Sequence, residues 1–359
     1  MLVRFEKRLA PSPFMTVAVP VASVILALMF CAVFLAMTGR HPFELYGAML
    51  KGALGSAYGL SETTVKAIPL MLCGLGISLA FRMQLWNIGA EGQFYLGAFA
   101  ATWVPLTFPE LPAFVMLPAM LALGMAAGAL WALGPAFLRV KWRVNEIITT
   151  LMLNYVGILL VNYFVYGPWR DPKGFNFPLT AEFPPAALLP TFGGSRIHFG
   201  LLLALALVVL FIVIFRNSRW GYEIKVIGAS ERAARYAGMD IKRNMLLVMA
   251  LSGAVCGLAG MTEVSGIAGR LQPGLSPGYG YTAIIVAWLA RLNPVAIVLV
   301  SGMFGVLQVG GYIVQTFGVP ASMVAMIQGA VLFFVIGGEM FANYRVVFPG
   351  VKGADKADG

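Results

Sequence analysis

Apolar residues in this chain come in long runs rather than in alternation. The runs fall at about 14–38, 64–81, 83–106, 113–138, 145–167, 198–215, 244–266, 280–290, 294–318 and 321–341. A helix rises 1.5 Å per residue and needs roughly 20 residues to cross a bilayer core. Most of these runs therefore predict spanning helices, giving ten candidate crossings. The run at 280–290 is too short to span alone. It either starts nearer Pro277 or forms half of a broken or re-entrant helix. The expected fold is all-α, a polytopic membrane protein of about ten helices with broken or re-entrant segments, in one transmembrane domain over 1–359.

Composition agrees with a chain dissolved in lipid. Hydrophobic residues make up 60% and charged residues 11%, with a mean hydropathy of +0.84. A soluble domain carries roughly 25% charged residues, so this chain could not cover a globule in water. The net charge of +10 is dispersed along the sequence, which points away from nucleic acid and toward loop charges at a membrane face. Met1 to Pro13 is basic and precedes a run too long for a signal-peptide core, so that run is expected to remain as the first span.

Basic residues also orient the spans. With the N-terminus in the cytoplasm, ten crossings leave about 18 Lys and Arg inside and about 7 outside, and both termini are then cytoplasmic. Seven of the inside residues lie in one loop, 216–243. Two segments fall outside: 39–63, whose stretch Pro42 to Gly52 is amphipathic, and 168–197, rich in Pro and aromatic residues. The second is either a docking surface or a packed connector. A repeat of two halves is also expected, spans two to five and seven to ten, each with a glycine-rich interruption at Phe81 to Gly97 and Gly266 to Tyr281.

Chemistry-bearing motifs are sparse. The chain has no G-x-x-x-x-G-K-[ST], H-E-x-x-H or G-x-S-x-G. With two histidines, no catalytic residue and no metal site are assigned. Cys31, Cys73 and Cys256 sit inside apolar runs and read as packing residues. Polar groups within spans carry more meaning, because each is costly in hydrocarbon. Asn87 and Glu91 share a helical face in W-N-I-G-A-E-G-Q, beside Gln93. They line either a pathway or an interhelical clasp. In the fifth span Glu146, Thr150, Asn154 and Asn162 form an i, i+4 stripe facing a pore or a helix contact, with Asn154 near its middle. Gly253, Gly257 and Gly260 make a small-residue face, followed by Glu263. The stretch 266–280, containing Gln272 and Tyr279, cannot be a continuous helix, so it lines a cavity or is buried in protein. Gln308, Gln315 and Gln328 read as helix-to-helix hydrogen-bonding groups.

The charged loop 216–243 holds a short helix, S-E-R-A-A-R-Y-A-G, with Ser230 as N-cap and Gly238 as stop. E-R-A-A-R-Y-A-G-M followed by K-R-N resembles the cytoplasmic coupling loop of ABC-importer permeases. Together, W-N-I-G-A-E-G-Q (86–93), G-Y-E-I-K-V-I-G (221–228), A-A-R-Y-A-G-M (233–239) and S-P-G-Y-G-Y (276–281) resemble permeases of nucleoside and simple-sugar ABC importers, in the branched-chain amino-acid/ribose permease superfamily. The resemblance covers roughly 64–341. It departs at Arg291 in A-W-L-A-R-L-N-P, where relatives usually carry a glycine pair, and no detail is carried over for that turn; Asn293 and Pro294 match.

The resemblance implies a permease subunit in a bacterial cytoplasmic (inner) membrane, most readily for nucleosides. Ser230, Glu231, Arg232, Ala234, Arg235 and Gly238 would form the ATPase-coupling helix. Asn87, Glu91, Gln93, Asn154, Glu263, Gln272 and Tyr279 are the candidate substrate-pathway residues. The implied partners are an ABC ATPase subunit, a second permease chain as homo- or heterodimer, an extracytoplasmic substrate-binding protein and membrane lipid, with no nucleic acid. ATP and Mg²⁺ would belong to the ATPase, and this chain would bind no cofactor. The alternatives are a simple-sugar permease or a self-contained transporter coupled to H⁺ or Na⁺ through Glu91 or Glu263.

Overall fold

Runs of good helix formers bounded by caps and prolines become helices almost throughout. The computed structural model describes residues 4–7, 13–37, 39 and 41–347. In chain order the helices are α1 (Pro13–Met37), α2 (Pro42–Leu54), α3 (Ala57–Arg82), α4 (Ala90–Thr107), α5 (Ala113–Trp142), α6 (Glu146–Tyr166) and α7 (Gly200–Asn217). There follow α8 (Arg219–Ala229), α9 (Glu231–Tyr236), α10 (Ile241–Glu263), α11 (Tyr279–Leu289), α12 (Pro294–Thr316) and α13 (Ala321–Asn343). A π-helical turn, Val264–Ala268, extends α10. One departure from all-α is an antiparallel pair of four-residue strands, β1 (Arg4–Lys7) and β2 (Tyr344–Val347), in which Arg4 lies opposite Val347.

Among the described residues seven helices are long and apolar enough to cross a bilayer, or eight if the bent pair Val21–Met37 and Pro42–Leu54 counts as one span. The expected ten is therefore too many on this criterion, for physical reasons. The run at 83–106 contains a non-helical turn up to Gly89, and α4 carries Glu91 and Gln93 in its first turn. The run at 280–290 is the eleven-residue α11, as short as expected. The amphipathic stretch after Pro42 is α2, bent 114° from the helix before it.

The described residues gather into two compact units. One comprises Met1–Met49 with Gly310–Gly359. There α1 lies along α13, with the Phe30 and Phe334 rings 5.9 Å apart, and Tyr46 donates its hydroxyl to the Leu28 carbonyl. The other unit, Leu50–Val309, holds every candidate site discussed below. Its axis is α3 and α10. The most apolar window of α3 is 89% buried, against 22% for α5, α6 and α7, so the latter three leave most of their side chains on the outside of the unit.

Small residues make this axis possible. A Cβ on Gly253 would strike the Gly128 carbonyl and the Ala132 methyl, and one on Gly260 would strike the Phe94 carbonyl. Gly97 and Gly257 likewise abut. Backbones of α4, α5 and α10 therefore touch directly, as close helix packing in membranes requires.

The Pro-rich segment 168–197 is a packed strap. Trp169 stacks on Phe99 at 4.4 Å. Thr180 exchanges backbone and hydroxyl bonds with Leu271, the Phe183 amide donates to the Gly269 carbonyl, and the Leu189 amide donates to the Ser265 carbonyl at 3.1 Å. The Ser265 hydroxyl returns a bond to the Ala187 carbonyl. The segment is thus a packed connector that also turns Phe175 and Phe177 outward, exposed.

Candidate functional site

The first candidate site forms where the chain cannot stay helical. Between α3 and α4, residues 83–89 turn through Gln84 in the left-handed region, φ 59°. This places the fully buried Asn87 against α4 and α10. Its Oδ1 accepts from Gly89 N at 3.0 Å and from Gln93 Nε2 at 2.9 Å. Its Nδ2 donates to Gln93 Oε1 at 3.1 Å and to Ser252 Oγ on α10 at 2.9 Å. From α6, Asn154 Oδ1 accepts the Gly92 amide at 2.8 Å, and Nδ2 donates to the Ile88 carbonyl at 2.8 Å and to the Tyr281 hydroxyl at 3.3 Å. Thr150 Oγ1 accepts the Ile88 amide. The α6 stripe thus faces this turn, while its first member, Glu146, pairs with Arg139 at 3.3 Å.

Glu91 joins the two glycine-rich interruptions. Its Oε2 accepts the Gly280 amide at 2.6 Å in the first turn of α11. Close approach is required, because a Cβ on Gly280 would overlap the Glu91 backbone. Phe94 and Tyr279 rings lie 5.9 Å apart beside it, and the Ser276 amide donates to the Tyr95 hydroxyl at 3.4 Å. Ser276 Oγ in turn accepts the Gly278 and Tyr279 amides. A carboxylate at a helix start meets the positive end of the helix dipole and its free amides.

The second site lies at the end of α10, where the helix loosens into the π turn. Such turns recur at functional positions. Glu263 is buried, with Oε1 3.9 Å from Lys66 Nζ and 3.5 Å from the Tyr279 hydroxyl. Its Oε2 has no hydrogen-bond partner. Lys66 Nζ also stands 5.9 Å from the centre of the Tyr279 ring. One turn away on α3, Glu62 accepts Arg196 Nη1 with both oxygens, at 3.0 and 3.2 Å. His198 presses against Gly266 and Gly200. Its Nδ1 accepts the Gly200 amide at 3.2 Å, and its Nε2 has no partner. Burial holds this ring neutral, with a pKa lowered to about 4.

Of the sequence-nominated pathway residues, Asn87, Glu91, Gln93 and Asn154 form one network, and Glu263 and Tyr279 form the second. Gln272 is half-buried in the α10–α11 connection and its side chain bonds to neither, among the described residues. Lys66 was missed, although a lone cation inside the apolar run 64–81 is a costly residue and therefore a signal.

The loop 216–243 folds as its caps dictate. Ser230 Oγ accepts the Ala233 amide at 3.3 Å, Ala234 is buried, and Gly238 takes φ 74° to end α9. Glu231, Arg232, Arg235 and Tyr236 are exposed. The turn at Arg291 and Leu292 is left-handed at both residues, φ 49° and 58°, a conformation that suits glycine. Here the Leu292 carbonyl accepts Arg82 Nη2 at 2.6 Å.

Comparison with known proteins gives consistent matches. The family described as branched-chain amino acid transport system / permease component matches residues 59–336. The glucose ABC transporter permease protein TsgB13 of Haloferax volcanii is 42% identical, over 96% of this chain and 93% of that protein. The guanosine ABC transporter permease protein NupP of Bacillus subtilis is 33% identical, over 88% of this chain and 92% of that protein. The nucleoside ABC transporter permease protein NupB of Lactococcus lactis is 29% identical, over 89% and 90%.

Proposed function

Because the chain belongs to the branched-chain amino acid transport system / permease component family, we propose that it is the membrane-spanning subunit of an ABC importer for a small, neutral, hydrogen-bonding solute, first of all a nucleoside. The observation that carries this reading is the near full-length alignment with permeases named for guanosine and for nucleosides. A second reading, a simple sugar, has its own support in the 42% identical glucose permease. Both solute classes are polyhydroxylated rings.

In this reading α9 docks into a separate ATPase, which supplies ATP and Mg²⁺ chemistry. A second permease chain completes the pathway, and a binding protein delivers solute at the face bearing 168–197. The termini and the loop 216–243 lie in the cytoplasm of a bacterial inner membrane. Exposed Arg232, Arg235 and Tyr236 on a capped helix suit a docking element. Glu263, with one buried carboxylate oxygen left unpartnered, is the pathway group with spare hydrogen-bonding capacity, whereas Asn87, Gln93 and Asn154 hold the break that shapes it.

Uptake of labelled guanosine and glucose into proteoliposomes holding the complete complex tests the reading. ATP-dependent uptake of one solute, lost together with ATPase co-purification in Arg232→Glu and Gly238→Val, supports it. Uptake that needs no ATPase and follows a proton or sodium gradient overturns it.

A further inference from the structure

The connection between α7 and α10 borders a half-open cavity of about 790 Å³. Arg216, Arg219 and Arg243 line it together with Trp220, Glu223 and Asp240. None of the three guanidiniums has an ion-pair partner among the described residues. Both acids are already engaged. Glu223 Oε2 accepts Asn244 Nδ2 at 2.8 Å, and Asp240 Oδ1 accepts the Arg243 amide at 3.0 Å. Asn244 is buried, and its Oδ1 accepts Trp220 Nε1 at 2.8 Å, so the wall is fixed by bonds on both sides of one amide. The starts of α8 and α10 also line the cavity through Ser218, Arg219 and Asp240, adding partial positive charge.

Above the charges the lining turns apolar. Arg243, Leu247 and Leu251 are exposed at i, i+4 spacing on α10, and Leu247 also lines the cavity. At 1.5 Å per residue, Leu251 stands about 12 Å along the helix from Arg243, inside a span. A cationic pocket continued by an apolar track on a spanning helix has the amphipathic order of a phospholipid. A soluble partner's acidic side chain would need the first part only.

We propose that this cavity binds the headgroup of an anionic phospholipid, its phosphate among Arg216, Arg219 and Arg243 and its acyl chain along Leu247 and Leu251. Ala237, Gly238 and Met239 at the end of α9 also line the cavity, so it adjoins the helix read above as the ATPase dock, and the ATPase readout below separates the two roles. The pairing of an indole with guanidinium groups at the end of a spanning helix suits a membrane–water boundary, where Trp is enriched and anionic lipid attracts basic residues.

Native mass spectrometry on the full-length chain, extracted with its co-purifying subunits from nanodiscs of phosphatidylcholine with phosphatidylglycerol, reads the occupancy. One phosphatidylglycerol per protomer should persist after the bulk lipid is stripped. The double variant Arg219→Gln/Arg243→Gln should hold it about thirtyfold more weakly, as two lost surface cations imply. Lys225→Gln, exposed on α8 outside the cavity, should hold it as the parent does. Leu247→Glu, which keeps every arginine, should also lose the lipid. Undiminished retention in the arginine variant overturns the proposal. So does displacement by inorganic phosphate alone, which would mark a free-anion site. Loss of the ATPase with lipid retained overturns it too, since the arginines would then serve a protein partner.

Discussion

Two buried polar clusters in the same unit differ in how completely they are bonded. Around Asn87, the amide groups of Asn87, Gln93 and Asn154 all find partners on backbone or side chain, drawing α4, α6 and α10 onto one turn. Around Glu263, one carboxylate oxygen and the neighbouring His198 Nε2 are buried without partners, and the Lys66 contact is long at 3.9 Å. A satisfied network in low dielectric rigidifies a fold, whereas an unsatisfied group is costly and calls for an explanation beyond stability. The first cluster therefore reads as architecture. The second keeps an oxygen and a ring nitrogen without partners, as the proposed solute pathway would need.

This contrast can be broken most directly at Asn87. Replacing it with Leu strands Gln93 and Ser252 and should cost about 2–3 kcal/mol, read as a lowered midpoint in thermal size-exclusion assays. Unchanged stability would remove the distinction between the clusters. Acid should act next, through His198. The unfolded ring protonates near 6.5, the folded one only near 4, so protons favour the unfolded chain. Stability is complete above about pH 6.5 and falls by up to about 3 kcal/mol as pH drops toward 4. His198→Gln should flatten that pH dependence.

Smaller effects sharpen the comparison. Glu91→Gln keeps the shape but loses the charge at the start of α11, costing about 1–2 kcal/mol. Glu263→Gln should change stability by about 1 kcal/mol or less, because the amide keeps the shape and the bonds it gives up, at 3.9 and 3.5 Å, are long. Uptake by the assembled complex should nevertheless fall. A Glu263 variant that is unstable yet fully active would assign that cluster to structure as well.

Much of this was legible in the sequence, and the gaps have physical causes. The end of α9 was readable because Ser230 and Gly238 act locally, within the reach of a cap and a stop. The break at 83–89 was visible as glycine and polar residues, but its bonds were not. Asn87 finds Ser252 at a separation of 165 residues and Asn154 finds Gly92 at 62, and no local pattern encodes such pairs. The apolar run begins only at 64, seven residues after the helix does, because Ser61, Glu62 and Thr63 before it are polar. In the structure Ser56 caps the helix at Gly59, and Thr63 and Thr64 return their hydroxyls to carbonyls of Ala53 and Leu60. Lys66 hid for the opposite reason, a single charge averaged away by the apolar residues around it.

The glycine contacts among α4, α5 and α10 also set how force can travel through this molecule. Where backbones touch, one helix cannot slide along another without a carbonyl meeting a Cα, so the three must turn as one piece. A push delivered near Asp240, at the foot of α10, would arrive at Glu263 after some 35 Å of helix as a tilt of that piece, with little lost to bending on the way. The π turn beyond Glu263 is the first place along this path where the backbone can yield. The unit is in this sense a stiff lever with a compliant tip, and the compliant tip carries the unsatisfied carboxylate.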